Sequence, residues 1–292
     1  MLRRVSPKTG LSFSQVTYGS MRFDAADHQN SVKAGAVFLQ SILDSGITTF
    51  HSSAEYATFD FFSMCMQELY YTVPKDSIEH IVKIASPHFK DDGYSDDLLE
   101  QRVDAFLQVT GAECIDAMQW LVRHEPNTDE HRLKILSDCE HAFEEKMDAL
   151  CKKGKVKSWY SFPYSQAFAN KVIDLKSCAG IVDYLNFLEP QDLDYLKSMQ
   201  DRSESLIALR PLFAKKIFAM PQEKMAMLCA MLGADDIFTA AVQFPLLSSV
   251  VTSEVISIRT QDQLNSLHKA ASEINSHDET FEAVASLLLG NA

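Results

Sequence analysis

The 292 residues carry 27 Lys and Arg against 40 Asp and Glu, a formal net charge of -13, and 46% of them are hydrophobic. That field repels nucleic-acid phosphates and anionic membrane surfaces, so neither is an expected partner, and the apolar share is enough for one large core. The six cysteines (Cys65, Cys114, Cys139, Cys151, Cys178 and Cys229) contain no C-x-x-C pair and no metal-ligand spacing, Met1-Leu2-Arg3-Arg4 is followed by no apolar stretch, and no window approaches a membrane span. The expectation is a cytoplasmic protein with reduced, mostly buried thiols and no metal.

In chain order, residues 2–5, Pro7-Lys8-Thr9-Gly10 and residues 11–13 read as a hairpin, because Pro and Gly bracket a turn between two apolar-alternating arms. A strand over 15–18 follows, ending at Gly19-Ser20-Met21, and then a helix over 31–43 with a capping Ser31 and an apolar stripe. Further strands are expected at 48–50, 81–85, 115–122, 156–161, 181–186, 206–209 and 254–258. Helices are expected at 59–70, 96–108, 132–152, 165–176, 193–200 and 237–247. The sustained alternation predicts an α/β fold, a (β/α)8 TIM barrel forming a single domain over 1–292, with 222–232 and 279–289 as extra C-terminal helices.

The stretch Gly46-Ile47-Thr48-Thr49-Phe50-His51-Ser52-Ser53-Ala54-Glu55-Tyr56 ends one strand, and Lys83 lies in the next. Tyr is a poor proton donor near neutrality, with a free pKa of about 10, and an adjacent ammonium stabilises its phenolate. Tyr56 and Lys83 delivered by neighbouring strands therefore make a tunable acid. The same residues also read as a half-buried loop aromatic and an edge-strand lysine.

Residues 11–23, this stretch, the Lys83 strand, Gly154 to Ser165 and Ser253 to Leu264 follow one another in an order and spacing that resembles the aldo-keto reductases. In that family the second strand ends F-D-T-A-x-x-Y-G, the hairpin closes the barrel bottom, and the Tyr gives a proton while a nicotinamide gives hydride to a carbonyl. The resemblance implies Tyr56 as proton donor with Lys83, but His51 stands where the family has its Asp. Gly111 and Asp116 keep the spacing that places the catalytic histidine at Leu121, and His124, in His124-Glu125-Pro126, lies three residues later. Catalytic candidates are thus Tyr56, Lys83, His51 and His124, with Glu55 a surrogate carboxylate by adjacency.

The resemblance also implies NADPH as cofactor, with altered contacts. Gly19-Ser20 corresponds to the start of G-T-M, the family's Ser-Asn pair is Phe162-Pro163, its Gln is Asp183 and its stacking Tyr is Asn186. Arg210, Lys215 and Lys216 form a basic cluster that suits a phosphate or a solvated helix end. Ser257, Arg259 and Gln263 keep most of G-x-R-T-x-E-Q-L, which makes Arg259 the candidate for a 2′-phosphate. The implied function is reduction of a small-molecule aldehyde or ketone. The alternative is a degenerate reductase-fold protein serving as a binding or regulatory module.

Overall fold

The computed structural model describes residues 1–271 and 274–290. A two-stranded antiparallel hairpin, β1 (Arg3–Val5) and β2 (Ser12–Ser14), precedes eight strands: β3 (Val16–Gly19), β4 (Thr49–Ser52), β5 (Glu79–Ala85), β6 (Ile115–Leu121), β7 (Val156–Ser161), β8 (Cys178–Tyr184), β9 (Ser205–Leu209) and β10 (Val251–Ile256). These eight close in the order β10-β3-β4-β5-β6-β7-β8-β9, a parallel (β/α)8 barrel. The helices are α1 (Val32–Asp44), α2 (Phe59–Leu69), α3 (Asp96–Thr110), α4 (Asp129–Lys152), α5 (Gln166–Val172), α6 (Leu193–Asp201), α7 (Gln222–Leu232), α8 (Ile237–Leu247), α9 (Gln261–Ala271) and α10 (Asp278–Leu289). Several begin on side-chain caps: Ser95, Thr128, Ser165, Asp192 and Asp236 each accept from a backbone N–H in the first turn of α3, α4, α5, α6 and α8. No single helix among the described residues is long and apolar enough to cross a membrane.

Some boundaries differ from the sequence expectation. Strand β4 runs on to Ser52, so His51 lies inside the sheet. Strand β8 stops at Tyr184 because the Asn186 side chain accepts from the N–H groups of Leu188 and Glu189, at 2.9 Å each, and turns the chain. Helix α9 went unforeseen, since only Leu264, Leu267, Ala270 and Ala271 give it a buried stripe. The thiols are less hidden than expected: Cys65, Cys139 and Cys178 are buried, Cys114 and Cys229 are partly covered and Cys151 is exposed. Burial pushes Cys65 and Cys139 up to about 12, which leaves them as unreactive thiols at neutral pH.

The chain groups into two compact units. The first comprises Met1–Tyr18, Ile42–Thr48 and Asp183–Ala292. Within it the hairpin sits at the amino ends of strands. Arg4 donates to the carbonyls of Leu246, Ser248 and Val251, and the hydroxyls of Ser6 and Ser205 meet at 2.9 Å, next to the first residues of β10 and β9. Helix α10 packs on α8 through stacked Phe244 and Phe281 rings with centroids 5.0 Å apart, which gives the added C-terminal helix its place.

The second unit comprises Gly19–Ser41 and Thr49–Val182. Its core is aromatic: Phe143 stacks on Trp120 at 4.1 Å and meets Trp159 edge-on at 4.8 Å. Both indole N–H groups are satisfied, by the Ser86 carbonyl at 2.6 Å and the Ser177 hydroxyl at 3.0 Å. The two tryptophans are thus core residues. Asp116 stitches this unit together, accepting from the backbone of His80 and from Lys157, each at 2.7 Å.

Close approach matters most where α1 meets α2. A Cβ on Gly35 would stand 2.5 Å from Cys65 Sγ, 3.1 Å from Phe61 and 3.2 Å from Phe23. Gly35→Ala gains about 1 kcal/mol of helix propensity but overpacks a site that has no room, at about 1–3 kcal/mol. The expected outcome is a lower urea midpoint. An unchanged or raised midpoint would show that α1 can shift away from α2.

Candidate functional site

The site lies in the second unit, where β4, β5 and β6 deliver their carboxyl ends. After β4 the chain turns over Ser53, whose hydroxyl donates to the Lys83 carbonyl at 3.2 Å and accepts from Glu55 N at 3.2 Å, and Tyr56 N bonds back to Ser53 O at 3.1 Å. This serine turn pins the residues after β4 to β5 and sets Glu55 and Tyr56 beside Lys83. The Lys83 Nζ lies 5.3 Å from the Tyr56 ring centroid, over the ring, and donates to Glu55 Oε2 at 2.6 Å.

Glu55 is the hub. Its Oε2 also accepts from Arg123, which follows β6 closely, and its Oε1 lies 3.8 Å from His88 Nε2 beyond β5. Arg123 in turn donates from Nε to the Tyr164 hydroxyl at 2.8 Å. Burial holds the Lys83 ammonium below its ordinary pKa; the Glu55 carboxylate opposes that shift and the Arg123 charge adds to it.

His51 is buried under this cluster. Its Nε2 contacts Gln119 Oε1 at 2.6 Å, and its Nδ1 stands 3.5 Å from Tyr56 Oη. Burial pushes its pKa down to about 4; the bond to Gln119 works against this and the Lys83 charge works with it. The imidazole is neutral at pH 7. His51 therefore adds no charge to the cluster, and the carboxylate beside Lys83 is that of Glu55.

Tyr56, Lys83, His51 and Glu55 are thus brought together, and His124 is not part of the group. His124 Nε2 bonds to the Asp91 carbonyl at 3.1 Å, and its Nδ1 bonds to His131 Nε2 at 2.9 Å. A carbonyl only accepts, so His124 Nε2 carries a proton and donates it to Asp91. Both ring nitrogens are used in holding the start of α4. Leu121 is buried and its carbonyl accepts from Ser86 N. Sequence reading gave Gln119 and Arg123 no role, although Arg123 lies just after a barrel strand, where a site residue is expected, and Gln119 lies near the end of one.

The expected cofactor residues divide between the units. In the second, Gly19 ends β3 and Ser20 is buried, its carbonyl accepting from Thr58 Oγ1 at 2.9 Å. Phe162 is buried and uses its N–H on the Trp120 carbonyl at 2.8 Å, while Pro163 has no N–H to offer.

In the first unit, Asp183 accepts from Tyr184 N at 2.7 Å and burial raises its carboxyl to about 6. Asn186 spends its side chain on its own turn, donating to Glu189 Oε2 at 2.9 Å as well as accepting from two N–H groups. Arg210 lies 4.1 Å over the Tyr184 ring, and Lys216 4.7 Å over Phe213, with Lys215 exposed beside it. Ser257 is half-buried, and Gln263 accepts from Arg259 N at 2.7 Å while its own N–H goes to Thr260 Oγ1 at 3.3 Å. That reciprocal arrangement starts α9.

No protein-family profile matches the chain, and no curated protein matches it in sequence. Solved structures do match. An aldo-keto reductase from Bacillus halodurans in its holo form superposes with a TM-score of 0.74 at 13% identity, over 98% of this chain and 96% of that one. A thermostable aldo-keto reductase solved with the inhibitor epalrestat gives 0.73 at 15%, over 98% and 100%. At such identity the likeness establishes the architecture: this chain has the barrel fold of the aldo-keto reductases.

Proposed function

We propose that the chain is a reductase of aldehydes or ketones, with Tyr56 as proton donor, Lys83 as the cation beside it and NADPH as the source of hydride. The observation that carries this reading is the 2.6 Å Lys83–Glu55 pair next to Tyr56, which restores to the site the carboxylate that His51 lacks. An ammonium held charged by Glu55 favours the phenolate left when the Tyr56 proton passes to a carbonyl oxygen. Neutral His51, anchored by Gln119, fixes the Tyr56 side of the site and adds no charge.

The residues for the nucleotide fit it by an altered set of contacts. Arg210, Lys215 and Arg259 are exposed cations suited to phosphates, and Asp183 has a carboxylate able to accept from a carboxamide NH2. When bound, the reduced nicotinamide supplies hydride to the carbonyl carbon. A second reading, a barrel kept as a binding or regulatory module, is favoured by Asn186 and Pro163, which retain no group for the nicotinamide. Titration with NADPH followed by nicotinamide fluorescence separates the two: no binding at millimolar nucleotide ends the reductase reading.

Tyr56→Phe is expected to abolish carbonyl reduction and leave NADPH affinity nearly unchanged. Glu55→Gln is expected to lower kcat about tenfold or more. It also shifts the alkaline limb of the pH profile downward, because removing the carboxylate lets the lysine lose its proton sooner. A Glu55→Gln profile that overlays the wild type would remove Glu55 from the mechanism.

Arg259→Ala is expected to cost NADPH about 1.5–3 kcal/mol of binding and NADH little, if Arg259 reads the 2′-phosphate. Equal affinity of the wild type for both nucleotides would count against that role.

The neutral state of His51 has its own signature. The folded-state pKa of about 4 lies below the ordinary 6.5, so the unfolded chain takes up this proton first as pH falls. His51 therefore contributes stability that is present above pH 6.5 and lost on acidification towards pH 4. Ring-proton NMR is expected to give a His51 midpoint near 4; a midpoint near 6.5 would mean that the ring is solvated and that Gln119 does not hold it.

A further inference from the structure

The charges around Tyr56 do not cancel. Lys83, at 2.6 Å, and Arg123 share one oxygen of Glu55, and His88 stands 3.8 Å from the other. Two cations therefore have one carboxylate between them. The nearby arginines are matched one to one, Arg102 with Asp91 at 2.7 Å and Arg132 with Asp129 at 3.0 Å.

The four side chains of the cluster are 12–31% exposed, sheltered enough to strengthen an ionic contact and open enough to receive one. The surplus of positive charge stands out in a chain of net charge -13. It is flanked by Phe89, 42% exposed and edge-on to His88 at 5.4 Å, and by Tyr164, 37% exposed with its hydroxyl on Arg123.

We propose that this cluster is an anion subsite, and that the carbonyl compounds taken at Tyr56 carry a carboxylate or a phosphate held by the Arg123 guanidinium together with Lys83. The carbonyl half rests on the reductase reading above; the anion half does not. A guanidinium presents a fork of N–H donors, of which Arg123 commits Nε to Tyr164 and Nη1 to Glu55. The anionic group takes no part in the bond changes at the carbonyl; it fixes the distance between that carbonyl and Tyr56. A closed structural ion cluster is the competing account, and it differs in what an added anion does.

The test is titration calorimetry of the full chain with 4-carboxybenzaldehyde against its methyl ester, and with glyceraldehyde 3-phosphate against glyceraldehyde, at low and high salt. One or both anionic compounds are expected to bind about tenfold or more tightly than the neutral counterpart, which also tells carboxylate from phosphate. The preference should weaken with salt, vanish in Arg123→Gln and survive in Arg123→Lys. Equal affinities within both pairs, or an Arg123→Gln variant that keeps the preference, overturn the proposal. Should Arg123→Gln not fold, the wild-type comparison with its salt dependence decides. NADPH oxidation measured with the same four compounds keeps the two readings apart. An anion preference without oxidation retains the subsite and ends the reductase reading. Oxidation of acid and ester with equal KM and equal affinity does the reverse.

Discussion

A lysine placed in a barrel mouth must keep a counter-charge or lose its proton, and the Lys83–Glu55 pair is how this chain meets that constraint. Glu55 stands on the turn after β4, four residues beyond His51, and from there it reaches Arg123 and comes near His88 as well. The geometry of that turn is thus coupled to side chains arriving from the ends of β5 and β6.

The site has a neutral floor and a charged mouth. An ionised His51 would sit in a fully enclosed position beside the Lys83 ammonium, and burial together with that charge keeps it neutral. Gln119 then contributes a neutral acceptor, whose pull towards the protonated ring is weaker than the effect of burial. The charges of the site belong to groups near solvent, Lys83, Arg123 and Glu55.

In the first unit the same polar residues that suggest a nucleotide are also building local structure. Asn186 closes a turn, Gln263 and Thr260 cap α9, and Arg210 lies on the Tyr184 ring. Asn186 commits its side-chain oxygen twice and an amide N–H once to its own turn, which leaves it little for a ligand. Asp183 has a carboxyl raised to about 6 by burial and one oxygen on Tyr184 N.

The barrel, its hairpin and most helix starts were legible in the sequence. Periodicity, a cap such as Ser31, and alternation of strands with helices are local properties that survive great divergence. The neighbourhood of Tyr56 and Lys83 was legible too, through the spacing along β4 and β5. The partner of Lys83 was suggested by adjacency alone. Glu55 is adjacent to Tyr56 in sequence, yet only the Ser53 turn aims it at Lys83, and Arg123 reaches the same oxygen from 68 residues away. His124 shows the converse: its motif pointed to chemistry, while the 2.9 Å contact with His131 on α4 turned the ring to a structural task. Element type follows from short-range pattern, whereas an ion pair depends on the direction of each side chain and on how much water the fold leaves around it, which only the closed barrel decides.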